Sequence, residues 1–202
     1  MSGLDRVSLS PEALRTSTAT LPFELTLVPS DAKWKYLVPS RRGELADDWT
    51  AVEFDDNKFA LGQAGFGYGD DDDATQLPVG TGMVLLRHTF QLPEQPLSQS
   101  LVLEVDFDDG FVAYLNGTRV AAVNAPRGKP DANSMATKGR EAGTPDRFDL
   151  SAHSNLLRKG KNVLAIAGLN AGRGSSDMSL IAGLGFLPTT LHAHFRLAKQ
   201  AG

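Results

Sequence analysis

From Met83 onward the apolar residues recur at every second position, and this constrains the chain more than any other feature. A helix would need a period of 3.6, whereas a half-buried strand needs two. In 101–107, Leu101, Leu103, Val105 and Phe107 share one face while Val102, Glu104 and Asp106 share the other. Met178, Leu180, Ala182, Leu184 and Phe186 repeat the alternation near the C-terminal end. Between 111–115 and 118–123 stands Asn116-Gly117, whose residues both tolerate positive φ and therefore predict a tight hairpin. Further strands are predicted over 23–28, 34–38, 83–92, 147–150 and 162–169, with one helical turn around 155–157 closed by Gly160. No segment carries the pattern of a long amphipathic helix. Roughly eight strands joined by Gly- and Pro-rich connections predict an all-β fold, a two-sheet antiparallel sandwich of the jelly-roll type.

Two stretches, 41–82 and 124–145, lose the period and read as loop systems, which at such length inside a compact domain usually carry function or move. A chain of 202 residues can bury one sizeable core, so one domain is expected over 21–188, preceded by an arm or linker over 1–20 and followed by a tail over 189–202. The absence of cysteine excludes disulfides, thiolate zinc sites and a cysteine nucleophile. Nucleic acid is not an expected partner: the 20 Lys and Arg residues form no basic stripe, and four successive carboxylates at 70–73 repel phosphate. No stretch is long and apolar enough to span a membrane, and residues 1–20 lack the apolar centre of a secretory leader.

No organic cofactor is expected. The glycines of 62–69 lack the following helix of a dinucleotide loop, and 168–176 lacks the lysine of a phosphate loop. Neither His88 nor His153 sits in a nucleophile motif, so no catalytic residue is assigned, although a triad can assemble from distant positions. Asp55, Asp56, Asp71 and Asp177 supply the hard oxygens that calcium prefers and are the candidate metal ligands; a solvated acidic loop and turn-capping aspartates are the plainer alternative. Asp108-Asp109-Gly110 reads as a turn that could also hold a cation. His192 and His194 alternate in the tail, but two imidazoles without a third ligand favour a plain tail. For a ligand, Tyr68 between two glycines is the best exposed platform, with Phe66, Trp34, Asp70, Asn124 and Arg127 around it. The plainer reading is that Trp34, Trp49 and Phe54 plug an open end of the sandwich.

Several separated motifs carry a resemblance. The series Trp34-Lys35-Tyr36, Trp49, Phe54-Asp55-Asp56 and Gly65-Phe66-Gly67-Tyr68-Gly69 comes first, followed by Arg87-His88-Thr89-Phe90. The run from Asp108 through Asn116-Gly117, the stretch Gly160-Lys161-Asn162-Val163-Leu164-Ala165-Ile166 and then Ser175-Ser176-Asp177-Met178 complete it. Together they resemble the galactose-binding-like jelly-roll modules of bacterial multidomain surface and secreted proteins of the planctomycete type, which are similar in fold to carbohydrate-binding modules. The resemblance implies a galactose-binding-like sandwich and does not fix a ligand. The leading expectation is a non-catalytic carbohydrate-binding or surface-recognition module with structural calcium, working outside the cell or on its surface with a glycan or surface polymer as partner, and with the loops 55–73 and 124–145 as its binding end. One departure stands out: where the family continues toward a His-Gln pair, this chain has Leu169-Asn170. The alternative is an assembly protein that self-associates or docks onto a protein partner through its sheet faces, arm or tail; a hydrolase is a third possibility.

Overall fold

The structure is a computed structural model that describes residues 22–39, 45–69, 73–95 and 100–188; the expected arm, the tail with both its histidines, Asp70 and Asp71 lie outside these residues. Twelve strands are described: β1 (Leu25–Val28), β2 (Lys33–Leu37), β3 (Ala60–Gln63), β4 (Phe66–Tyr68), β5 (Thr75–Gln76), β6 (Met83–Leu92), β7 (Leu101–Phe107), β8 (Gly110–Leu115), β9 (Thr118–Val123), β10 (Asp146–Asp149), β11 (Gly160–Leu169) and β12 (Met178–Phe186). Among the described residues one 3-10 helix, Ser151–Leu156, precedes β11. The strands make a two-sheet jelly-roll sandwich. Sheet A runs β10-β7-β12-β4-β5, with β1 also on β12, and sheet B runs β3-β2-β6-β11-β8-β9. Pairing is antiparallel except for the short β4–β5 contact.

The alternation seen in the sequence is the core. Leu101, Leu103, Val105 and Phe107 of β7 and Met178, Leu180, Ala182, Leu184 and Phe186 of β12 face Val84, Leu86, Phe111, Ala113, Leu115, Leu164 and Ile166 of sheet B. Each Val, Leu, Ile, Met or Phe side chain among them taken fully out of water contributes about 1.5–3 kcal/mol. The Asn116-Gly117 turn forms as expected, with φ of 50° and 86° and Leu115 opposite Thr118. Asn116 does more than turn the chain. Its side-chain amide donates to the Leu156 carbonyl and to Asn162 Oδ1, both at 2.8 Å, while its Oδ1 accepts from the Val163 N–H at 2.8 Å. The hairpin tip is thereby fixed to β11.

Sheet B is dry on its outer face as well. Met83, Leu85, Val112, Tyr114, Val163, Ala165, Ala167 and Leu169 point outward and are covered by Trp49, Val52 and Phe59 from the segment before β3. Trp49 therefore roofs a sheet face and does not plug an open end of the sandwich. Arg87, on the same outer face of β6, is 2% exposed and ties the roof down. Its Nε donates to Asp56 Oδ2 at 3.1 Å, its Nη1 donates to the carbonyls of Trp49 and Ala51, and its guanidinium lies over the Phe54 ring at 5.1 Å. The region 41–82, expected to be irregular, contains β3, β4 and β5 among its described residues. Strands of two to four residues carry too few positions for a period to show, and their pairing is imposed by neighbours distant in sequence.

Replacing Arg87 by Met keeps the apolar stem but leaves the Asp56 carboxylate and two carbonyls without their donor. The expected loss is ~3 kcal/mol, seen as a lower urea midpoint at unchanged m-value, with proteolysis appearing first within 45–59.

Candidate functional site

One end of the sandwich gathers the β7–β8 turn, the 124–145 loop, the 170–177 loop and the segment 77–82. Asn170, fully buried, is their common partner. Its Nδ2 lies 3.1 Å from the Tyr68 hydroxyl, 3.0 Å from the Asp177 carbonyl and 3.3 Å from the Thr81 carbonyl. Its backbone N–H donates to the Gly82 carbonyl at 3.0 Å, and its carbonyl accepts from the Ala136 N–H at 2.9 Å. Asp109 is the second knot: its carboxylate accepts the Arg140 N–H at 3.0 Å and the Ala171 N–H at 2.5 Å, joining the two long loops. Arg140 is the third. It lies 3.9 Å over the Phe107 ring, donates to the carbonyls of Phe107 and Thr144, and stands 3.7 Å from Asp106 and 3.6 Å from Asp146.

Within this end, carboxylate oxygens of Asp108, Glu141 and Asp177 all lie within 4.8 Å of one another. Asp108 is 5% exposed, Asp177 is half-buried and Glu141 is exposed. Burial, reinforced by the charges of Asp109, Asp177 and Glu141, pushes the Asp108 carboxyl up to about 7. Like charges brought this close repel unless a proton or a cation sits between them. Three hard oxygen donors suit a divalent cation of the calcium type, so the residues present fit that group.

Of the metal ligands expected from the sequence, Asp177 belongs to this cluster. Asp56 is committed to Arg87, and Asp55 accepts the Asn57 N–H at 3.1 Å in a local turn. The ligand residues need a larger correction. Trp34, Phe66 and Tyr68 are buried in the core, none exposed above 1%, so none offers a ring face to a sugar. The cause is pairing: β4 runs beside β12 with Phe66 opposite Leu180 and Tyr68 opposite Met178, which turns both rings inward. The Tyr68 hydroxyl donates to the Ser175 carbonyl at 3.3 Å. Asn124, at φ 49°, uses its amide on the Asp109 carbonyl at 2.9 Å and so shapes the loop end from inside. Arg127 is exposed, and its carbonyl accepts from Arg119 at 2.7 Å.

A second feature lies on the outer face of sheet A. Two adjoining depressions of about 230 and 140 Å³ share Ser30 and Glu104 and form one groove. Its floor is β7 and β12, where Gly183 stands opposite Glu104 in the ladder, and its rims are Phe23, Pro29, Asp31 and Pro145. A Cβ added at Gly183 would make only ordinary contacts, at 3.4–3.7 Å with Val28, Ser30 and Phe23. Arg147 crosses the groove, 2.7 Å from Glu104 and 5.7 Å from the Phe23 ring centre. The period-two pattern assigned Glu104 and Asp106 to an outer face, but Phe23 and Arg147 reach the groove only through tertiary pairing.

The fold and these two sites define an all-β sandwich with an acidic loop end and one open sheet face. No family model matches the sequence, and no curated protein matches it. Among solved structures the chain is similar to a Bifidobacterium dentium β-glucuronidase complexed with coumarin-3-O-glucuronide, at 17% identity and TM-score 0.49 over 75% of this chain and 21% of that one. It is also similar to a Ruminococcus gnavus β-glucuronidase, at 13% and 0.48 over 74% and 23%, and to one from an uncultured Clostridium, at 14% and 0.45 over 82% and 30%. The chain thus spans a fifth to under a third of these enzymes, and its own geometry has to carry any functional reading. No helix among the described residues is long and apolar enough to cross a membrane.

Without divalent cation, Asp108 keeps its proton in the folded state up to about 7 but loses it near 3.8 when unfolded. Its contribution to stability is therefore complete below the lower value and is lost as pH rises toward the upper one. In chelator, the melting temperature of the native chain is expected to fall more steeply between pH 4 and pH 7.5 than that of Asp108→Asn. Parallel curves would show that this carboxyl titrates ordinarily.

Proposed function

We propose that the chain is a non-catalytic carbohydrate-binding module of the extracellular or surface type, taking its ligand in the groove on sheet A and steadying its loop end with calcium at Asp108, Glu141 and Asp177. The groove carries this reading. Sheet B has its outer face roofed, so sheet A presents the open face, and that face combines what saccharides are held by. Phe23 and the prolines at 22, 29 and 145 offer apolar surface for sugar C–H faces, while Thr26, Ser30, Asp31, Glu104 and Asp106 offer hydroxyls and carboxylates for sugar hydroxyls. The groove floor is backbone and strand-borne side chains, which keeps the ordering penalty of binding low. The resemblance read from the sequence points the same way.

Affinity electrophoresis against a polysaccharide panel is expected to retard the native chain on at least one glycan without release of reducing sugar. Gly183→Leu, which fills the groove floor with ordinary contacts at its Cβ, is expected to abolish the retardation. Mobility unchanged on every glycan would refute the saccharide reading. Calcium at about 100 times its Kd should stabilise by ~2.7 kcal/mol, raising the midpoint by about 5–10 °C. Asp108→Asn should remove that rise, and a chelator-insensitive midpoint in the native chain would dispose of the cation.

A further inference from the structure

Charge in the groove narrows the class of saccharide. Asp31, Glu104 and Asp106 line it against Arg147 alone. Adding the next row, Arg140 on Asp106 and Asp146 on Arg140, brings the tally to four carboxylates and two guanidinium groups, a surplus of two negative charges. Both cations are already committed. Arg147 is held on Glu104 at 2.7 Å, and Arg140 lies between Asp106 and Asp146 with further bonds to the carbonyls of Phe107 and Thr144. Asp31, exposed at the β1–β2 turn, has no cation partner among the described residues.

An anionic polymer, sulfated or uronic, would meet this surplus, and the guanidinium that lines the groove, Arg147, is already paired with Glu104. A neutral sugar would find hydrogen bonds and nothing to answer the charge. A sugar bearing a free amine satisfies both, because its ammonium pairs with a carboxylate while its hydroxyls and C–H face use Ser30, Thr26 and Phe23. We propose that the groove selects glycans of free amino sugars, with Asp31 as the selecting carboxylate. This rests on the groove being the saccharide site and goes further by naming the ligand class.

The test is titration calorimetry of the full chain with four probes of matched length: a β-1,4-linked glucosamine tetramer, its fully N-acetylated form, the glucose tetramer, and tetralysine. The glucosamine tetramer is expected to bind about tenfold more tightly than either neutral tetramer, a preference that shrinks as salt rises. Asp31→Asn, a conservative change on an exposed turn, is expected to remove the preference, so that the glucosamine tetramer binds no more tightly than the two neutral tetramers. Gly183→Leu is expected to abolish binding of all three. Equal affinity for amino and neutral tetramers in the native chain would overturn the amino-sugar selection and leave the saccharide reading standing. Tetralysine binding as tightly as the glucosamine tetramer would overturn it too, since charge alone would then suffice. Silence from every tetramer would overturn both.

Discussion

Everything in this molecule is arranged around one ladder, the ten-residue antiparallel pairing of β6 with β11 from Gly160 opposite Leu92 to Leu169 opposite Met83. A strand buried on one face alternates apolar with polar, but β11 from Val163 to Leu169 contains no polar side chain, because both of its faces are dry. One face meets sheet A, and the other has to be covered by something. The 45–59 segment is that cover, and a cover made of turns has many backbone carbonyls and little pairing of its own. Arg87 resolves the difficulty by entering the apolar layer with five donors, answering two carbonyls and one carboxylate at once. The asymmetry of the molecule follows. Sheet B turns a roofed back to solvent, and sheet A, whose outward positions include Glu104, Asp106, Ile181 and glycines, carries the groove.

The loop end obeys a different logic. Long connections without regular structure must satisfy their backbone groups from side chains, and here Asn170, Asp109 and Arg140 do most of it, each reaching across to segments far away in sequence. Asn170 stands where the resembling family has a different residue, and its bonds to Tyr68, Thr81, Gly82, Ala136 and Asp177 give the departure a structural meaning. Asp109 is served by two N–H donors. Asp108, its neighbour, instead faces carboxylates. The same turn thus contains one aspartate satisfied by the fold and one that the fold leaves to a proton or a cation.

Much of the framework was legible because strand pairing obeys a local rule. The limits predicted for β6, β7, β9 and β12 coincide with those observed, and Asn116-Gly117 predicted its own turn. What the sequence could not reveal was which partner a short strand would take. Phe66-Gly67-Tyr68 looks like a glycine-flanked platform until β12 is placed beside it, and then the same alternation sends both rings into the core. Acidic residues misled for a related reason. Charge runs are visible in one dimension, whereas a cluster built from 108, 141 and 177 becomes a cluster only when three loops meet. Asp56 looked equivalent to Asp177, and it was Arg87, thirty-one residues beyond Asp56, that decided otherwise.

The two sites are joined by one short piece of chain. Glu141 belongs to the carboxylate cluster. Two residues on, the Gly143 N–H donates to both oxygens of Asp106 at 3.0 Å, and Pro145 closes the groove beside Ile181 and Gly183. Arg140 anchors the start of this piece on Phe107 and its end on Asp146. A cation drawn to Glu141 would restrain the same segment that presents Asp106 and Pro145 to a ligand, so the ordering needed at one site would already be met by occupancy of the other. Linkage then runs in both directions with equal magnitude. A loop end that remains stable without a cation would leave the groove unchanged in its presence, whereas one that depends on a cation for order would make the groove sensitive to the ionic medium.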